Sequence, residues 1–288
     1  MKINDVVIQD TYAEAWDLEV IRLVLTAISE DVALGAAEQF VGAAGSSELG
    51  SRINGGIERM ALPHETPDGR PGVIVALTMP PFERENFIRE LALRVVLATL
   101  VPTCAVFDFM VKEASAIEKI DLYDLTSENW KGYESREEIA GRRICIVPTT
   151  TGRFAYEEEV SISTEGVDGH FVCYAETEAS SVLAVKAAKE AIRAIDGVSP
   201  MGYGLEAVFK LPEYCPALRE KVKETKVPEG VGSVVNLLMF GATKGLMKQA
   251  MKVAIEAAAK VTGVKEIGAM NFGGEFGRHK FYLHELLK

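Results

Sequence analysis

The run Val231-Gly-Ser-Val-Val-Asn236-Leu-Leu-Met-Phe-Gly241 carries one amide in the middle of an apolar stretch. A carboxamide placed there must bond to its neighbours or face a cleft, because a dry, unpaired amide costs roughly 1–3 kcal/mol. The plain reading is a satisfied core amide; the alternative is an amide that faces a cleft. A second pattern, Glu65-Thr-Pro-Asp68-Gly-Arg70-Pro-Gly72, sets a guanidinium two residues from a carboxylate in a tight turn. Arg70 there either forks onto a ligand carboxylate or pairs inside the turn with Asp68. A third, Asn271-Phe-Gly273-Gly274-Glu-Phe-Gly277-Arg-His-Lys, has a G-x-x-G beside basic residues. That spacing suits close approach to a nucleic-acid backbone or, more simply, tight turning between strands.

Other chemistries lack their residues. There is no G-x-x-x-x-G-K-[ST], no strand-borne G-x-G-x-x-G and no G-x-S-x-G, so nucleotide hydrolysis and serine-hydrolase chemistry have no support. The histidines His64, His170, His279 and His284 and the cysteines Cys104, Cys145, Cys173 and Cys215 fall into no metal-ligand spacing. Free buried thiols in a reducing compartment are expected of the cysteines. The 31 basic and 42 acidic residues leave a net charge of −11, which argues against nucleic-acid or anionic-membrane partners. No apolar run reaches the roughly 20 residues of a spanning helix, and the N-terminus carries no basic-then-apolar signal, so a cytoplasmic protein is expected.

The elements that must position these residues read as two similar halves. Strand-like runs at Val20–Ala27, Val73–Thr78 and Cys104–Phe107, with helical spacing after Ser29 and over Pro81–Leu97, and a Gly-rich passage from Gly45 to Ile57, predict β-α-β-β-α-β. Residues 112–142 read as an irregular polar connection. Arg142–Val147 and His170–Glu176 then open a second half, followed by a helix over Ser180–Ile195, the Asn236 strand, a helix over Thr243–Val261 and a strand at Lys265–Met270. The expected class is α+β: two ferredoxin-like (βαββαβ) lobes, a duplicated architecture, over residues 1–142 and 143–288.

Met1-Lys-Ile-Asn-Asp-Val-Val-Ile-Gln-Asp-Thr-Tyr-Ala-Glu-Ala, Glu65-Thr-Pro-Asp-Gly-Arg-Pro-Gly-Val73, Pro102-Thr-Cys-Ala-Val-Phe107, Pro228-Glu-Gly-Val231 and the Asn271–Leu286 segment together resemble the formylmethanofuran:tetrahydromethanopterin formyltransferase family, collinearly from end to end. The resemblance implies two ferredoxin-like lobes, a homotetramer built as a dimer of dimers, and transfer of a formyl group from formylmethanofuran to N5 of tetrahydromethanopterin in one-carbon metabolism and methanogenesis. It implies no metal or redox cofactor, the two carriers being substrates. It also implies a catalytic position at Asn236, where the family carries a glutamate, and candidate substrate contacts at Asp68, Arg70, Asn271, Gly273 and Gly274. The chain departs from the family at Ser51–Ile57 and Pro200–Gly204. Two functional readings follow: a formyltransferase with Asn236 as oxyanion donor, and a non-catalytic paralogue that binds a C1 carrier or docks in a larger C1 enzyme complex. RNA binding by the sheet faces has no paired aromatics to support it.

Overall fold

The computed structural model of the chain describes residues 1–207 and 211–288. It divides into two compact units: one of Met1–Asp17 with Val167–Lys288, the other of Leu18–Gly166. The division differs from the expected boundary at 142/143. The strand at Arg142 pairs with neighbours inside the Leu18–Gly166 unit, and the N-terminal strands pair with a strand near the C-terminus.

The chain opens with β1 (Lys2–Ile3), β2 (Val6–Ile8) and β3 (Tyr12–Ala15). The Leu18–Gly166 unit contains β4 (Asp17–Thr26, all but its first residue), α1 (Glu30–Val41), β5 (Asn54–Ala61), β6 (Gly72–Met79), α2 (Arg84–Ala98) and β7 (Ala105–Asp108). β4 is antiparallel to both β6 and β7, and β5 is antiparallel to β6, giving the sheet order β5-β6-β4-β7. That is the order of a ferredoxin-like βαββαβ unit. Alternation explains the layering: Ile21, Leu23 and Leu25 join Phe40 of α1 and Phe87, Leu91 and Val95 of α2, whereas Val24 and Ile74 point to a second cluster with Ile144 and Ile146. Gly55 lies so close to β6 that an added Cβ would stand 2.8 Å from Leu77 Cδ2. The close approach in the Gly-rich passage is therefore to its own sheet.

Residues 112–142 are more ordered than their polarity suggests. They hold β8 (Ile117–Asp121), α3 (Leu122–Thr126) and β9 (Ser135–Ile139), and the unit continues through β10 (Arg142–Thr149) and β11 (Gly152–Glu157). Among the described residues β9 pairs with β10 alone, and its Arg136, Glu137 and Glu138 side chains are exposed. Charge on an edge strand blocks further pairing, so the sequence there looks like a loop although the ladder makes it a strand.

The other unit takes the last nine residues of β12 (Glu159–Ala175), then α4 (Glu178–Ile192), β13 (Val198–Pro200), β14 (Ser233–Gly241), α5 (Lys244–Ala258), β15 (Val264–Gly268), β16 (His279–Tyr282) and α6 (Leu283–Leu286). β14 and β15 flank β12, and β13 flanks β14, all antiparallel; β2 adds in parallel to β15. The order β13-β14-β12-β15 repeats the ferredoxin-like arrangement. Thr177 and Thr243 cap α4 and α5 by accepting from the backbone N–H groups of Ser180 and Leu246. α5 buries Met247, Ala250, Met251, Ala254, Ile255 and Ala258, a stripe at helical spacing. Among the described residues no helix is long and apolar enough to cross a membrane.

Candidate functional site

In the unit that holds Asn236, the register of β12 and β14 settles which way each side chain points. Gly169 is opposite Met239, and a Cβ on Gly169 would touch Met247 and Met251 of α5. Odd-numbered residues of both strands therefore face the helices. His170, Val172, Tyr174, Val234, Asn236 and Leu238 face away from them. Val172, Tyr174 and Val234 on this helix-free face are covered by Tyr214, Val227, Val231 and Met270. Asn236 pairs with Val172 across the ladder and is 5% exposed.

Its partner is Glu206. The two residues exchange backbone hydrogen bonds, Glu206 N–H to Asn236 O at 2.9 Å and Asn236 N–H to Glu206 O at 3.0 Å. The side chains follow, Asn236 Nδ2 donating to Glu206 Oε2 at 3.0 Å. An ionised carboxylate only accepts, so it fixes which end of the amide is nitrogen. Asn236 Oδ1 is left buried without a hydrogen-bond partner among the described residues. A native interior seldom tolerates that, and each such atom calls for a ligand, a water or a strain to explain it. Among the described residues Asn236 thus has one amide hydrogen beyond the bond to Glu206 and presents an oxygen that calls for an N–H or O–H. Glu206 is half-buried. Tyr203 and Met239, two side chains able in principle to plug a hollow here, are engaged elsewhere: Tyr203 is 68% exposed under the Lys189 ammonium, and Met239 faces the helices.

Two further ionisable groups on the same face are spoken for. Glu266 accepts from Gln9 Nε2 at 2.9 Å. His170 is 5% exposed, and its Nε2 lies 3.0 Å from both the backbone nitrogen and the carbonyl oxygen of Met270. Burial pushes its imidazole down to about 4 from 6.5, against the smaller opposing pulls of the Met270 contact and Glu14. The unfolded chain takes up that proton near 6.5 and the folded chain only near 4, so stability falls as pH drops through this window. The full effect is about 3 kcal/mol. Urea unfolding from pH 7 to pH 4 should show the loss in the wild type and a shallower decline in His170→Gln. Equal slopes in the two proteins would remove the assignment.

The Asn271–Gly277 loop is organised by a residue that sequence reasoning did not single out. Glu14, fully buried on β3, accepts the backbone N–H groups of Phe272 (2.7 Å) and Gly274 (3.0 Å) on Oε2, and of Phe276 (2.7 Å) and Gly277 (2.6 Å) on Oε1. Burial alone would raise its pKa, but the four N–H groups outweigh it and hold the carboxyl below its ordinary range. Gly273 and Gly274, at φ +85° and +74°, provide the left-handed turn that lets the N–H groups converge. Asn271 Nδ2 donates to Thr11 Oγ1 at 3.0 Å. Of the expected contact residues, Gly274 is committed to Glu14, while Gly273 is not one of the four donors. Met270, just before the loop, packs with Val172, the cross-strand partner of Asn236.

Asp68 and Arg70 belong to the other unit. Arg70 donates from Nε to Asp68 Oδ2 (2.8 Å), from Nη1 to Thr103 O (2.6 Å) and from Nη2 to Thr26 Oγ1 (3.0 Å), and Thr26 donates to Asp68 Oδ2 at 2.7 Å. All three guanidinium nitrogens are engaged within the unit, which favours the ion pair inside the turn over an open fork. The signal that would have found Glu206 is weak, a lone carboxylate in a Gly-rich connection. Glu14 lies in Ala13-Glu14-Ala15, where buried alanines flank an acid. Among the described residues no cluster of three or more His, Cys, Asp or Glu is placed to hold a metal ion.

Comparison with known proteins agrees with this architecture. The profile of "Formylmethanofuran-tetrahydromethanopterin formyltransferase" matches residues 1–149, and that of "FTR, proximal lobe" matches residues 210–286. The chain is 35% identical to the formylmethanofuran–tetrahydromethanopterin formyltransferase of Methanothermus fervidus, covering 99% of this chain and 100% of the relative. It is 35% identical to that of Methanocaldococcus jannaschii, covering all of both. Among solved structures, the formyltransferase of Methanosarcina barkeri superposes with a TM-score of 0.89 at 34% identity, covering 99% of this chain and 100% of the other. A chain of the formyltransferase/hydrolase complex of Methylorubrum extorquens, solved with methylofuran, superposes at 0.85 and 26% identity, covering 100% of this chain and 99% of the other. With these matches running its full length, the chain belongs to the formylmethanofuran–tetrahydromethanopterin formyltransferase family.

Proposed function

We infer that the protein is an N-formyltransferase that moves a formyl group from formylmethanofuran to N5 of tetrahydromethanopterin in one-carbon metabolism and methanogenesis. The observation that carries this reading is the full-length similarity, 35% over 99% of the chain, to enzymes named for that reaction. The unpartnered oxygen of Asn236 supports it locally, since it marks an interior position that asks for a ligand. Formyl transfer passes through a tetrahedral intermediate whose oxygen becomes negative, and the uncommitted amide hydrogen of Asn236 is a suitable donor to it. Asn271 and Gly273 are the loop positions offered to a carrier, while Asp68 and Arg70 hold the turn that shapes their own unit. The reaction calls for no metal or redox cofactor. The reading carries with it a cytoplasmic location and a homo-oligomer built as a dimer of dimers.

The test is turnover by the recombinant full-length chain with both carriers. Activity is expected, and Asn236→Ala should lower kcat by about 10²-fold, the usual cost of one oxyanion donor. A wild type without turnover, under conditions where the Methanosarcina barkeri enzyme works, would overturn the reading. A second reading draws on the similarity to a chain of the Methylorubrum complex: a carrier-binding, non-catalytic subunit. Calorimetry showing carrier binding without turnover would select it.

A further inference from the structure

Formyl transfer between two amines has a requirement that Asn236 cannot meet. The attacking N–H must lose a proton and the departing nitrogen must gain one, and a carboxamide does not exchange protons at neutral pH. The group that carries the proton must be ionisable, adjacent to the reacting carbon and held in place. On the helix-free face around Asn236, His170 is occupied with the Met270 backbone and Glu266 with Gln9. Tyr174 is 1% exposed, and burial pushes its phenol well above the ordinary range. Glu206 is held directly against Asn236. Two backbone hydrogen bonds pin it opposite Asn236, and the Asn236 amide orients its carboxylate from 3.0 Å. Beside it lies Asn236 Oδ1, 95% of its residue buried and the atom itself without a partner among the described residues, an acceptor able to take an N–H and turn it towards that carboxylate.

We propose that Glu206 is the proton carrier of the transfer, with Asn236 as the residue that positions both the carboxylate and the substrate N–H. The proposal rests on the formyl-transfer reading above. The acceptor nitrogen attacks the formyl carbon, a C–N bond forms, and the carbonyl π pair moves to oxygen. The acceptor's N–H proton passes to Glu206. The oxyanion then re-forms C=O, the C–N bond to the donor breaks with its electron pair going to the donor nitrogen, and that nitrogen takes the proton back from Glu206. One proton is borrowed and returned, so the carboxylate ends as it began. This assigns a role to a residue between the two family-profile matches, residues 1–149 and 210–286.

The experiment compares the full-length wild type with Glu206→Gln, Glu206→Asp and Glu206→Ala in the two-carrier assay. Glu206→Gln keeps the shape and should lower kcat about 10²–10³-fold with KM within about threefold. Glu206→Ala should recover activity with added acetate, which a purely structural role would not produce. The wild-type kcat should fall on an acidic limb that Glu206→Gln lacks. If Glu206→Gln does not fold, the wild-type pH profile and acetate rescue of Glu206→Ala decide alone. An active wild type whose Glu206→Gln variant stays within fivefold, or whose kcat has no acidic limb, overturns this proposal and leaves the formyl-transfer reading standing. An inactive wild type overturns that reading, and this proposal with it.

Discussion

Glu14→Gln is expected to release the Asn271–Gly277 loop and to lower the unfolding free energy by about 3–5 kcal/mol. The carboxylate is fully buried and gathers four backbone N–H groups, two on each oxygen. A glutamine keeps one oxygen for two of them and turns an NH₂ group towards the other two. Donor then faces donor, and two interior N–H groups lose their acceptor at about 1–3 kcal/mol each. The remaining two bonds weaken as the charge disappears. Because the folded pKa of Glu14 is lowered, its contribution is present above the ordinary value of 4.5 and is lost as pH falls through the folded value. Hydrogen exchange at Phe272, Gly274, Phe276 and Gly277, with urea unfolding at pH 7, reads both effects. A variant that keeps amide protection and loses under 1 kcal/mol would show that the loop holds itself.

Helical and strand periodicity located α4, α5, β6 and β14, each of which buries a clean stripe or run, but not β5 or the short β13, the second strand of each βαββαβ unit. The division of the chain into units was not legible in the same way. It depends on which strands pair: β10 stays with its chain neighbours β9 and β11, whereas β2 joins β15, and no local spacing reports a partner some 260 residues away. Charge on β9 hid a strand for the same reason: its hydrogen bonds come from a neighbour, not from its own composition. At the candidate site, Asn236 was visible because an amide in an apolar run conflicts with its surroundings. Glu206 was not, since a carboxylate after a Gly-rich turn looks like ordinary solvated loop until the backbone bridge places it against Asn236. Arg70 was visible, but only its contacts decide between fork and turn.

The second large effect concerns Arg22 and Glu58, each 2% exposed. The pairing of β5 with β6 slips by one residue there, Ile57 standing opposite Val75 and Arg59 opposite Ile74, which leaves Glu58 as the bulged residue. The bulge accompanies a bidentate pair: Arg22 Nε to Glu58 Oε2 at 2.8 Å and Nη2 to Oε1 at 2.6 Å. Phe109 closes the guanidinium from another side, its carbonyl accepting from Nη1 at 2.5 Å and its ring centroid lying 5.1 Å from Cζ. Glu58→Ala should therefore cost about 3–5 kcal/mol, since it strands a cation that water cannot reach. Arg22→Met combined with Glu58→Leu should cost much less than the two single changes together, because no ion then remains to desolvate. A double-mutant cycle by urea denaturation is expected to give a coupling of about 2 kcal/mol or more. Additive costs would mean that each partner is held by its other neighbours, and that the bulge serves the path of β5 and not the ion pair.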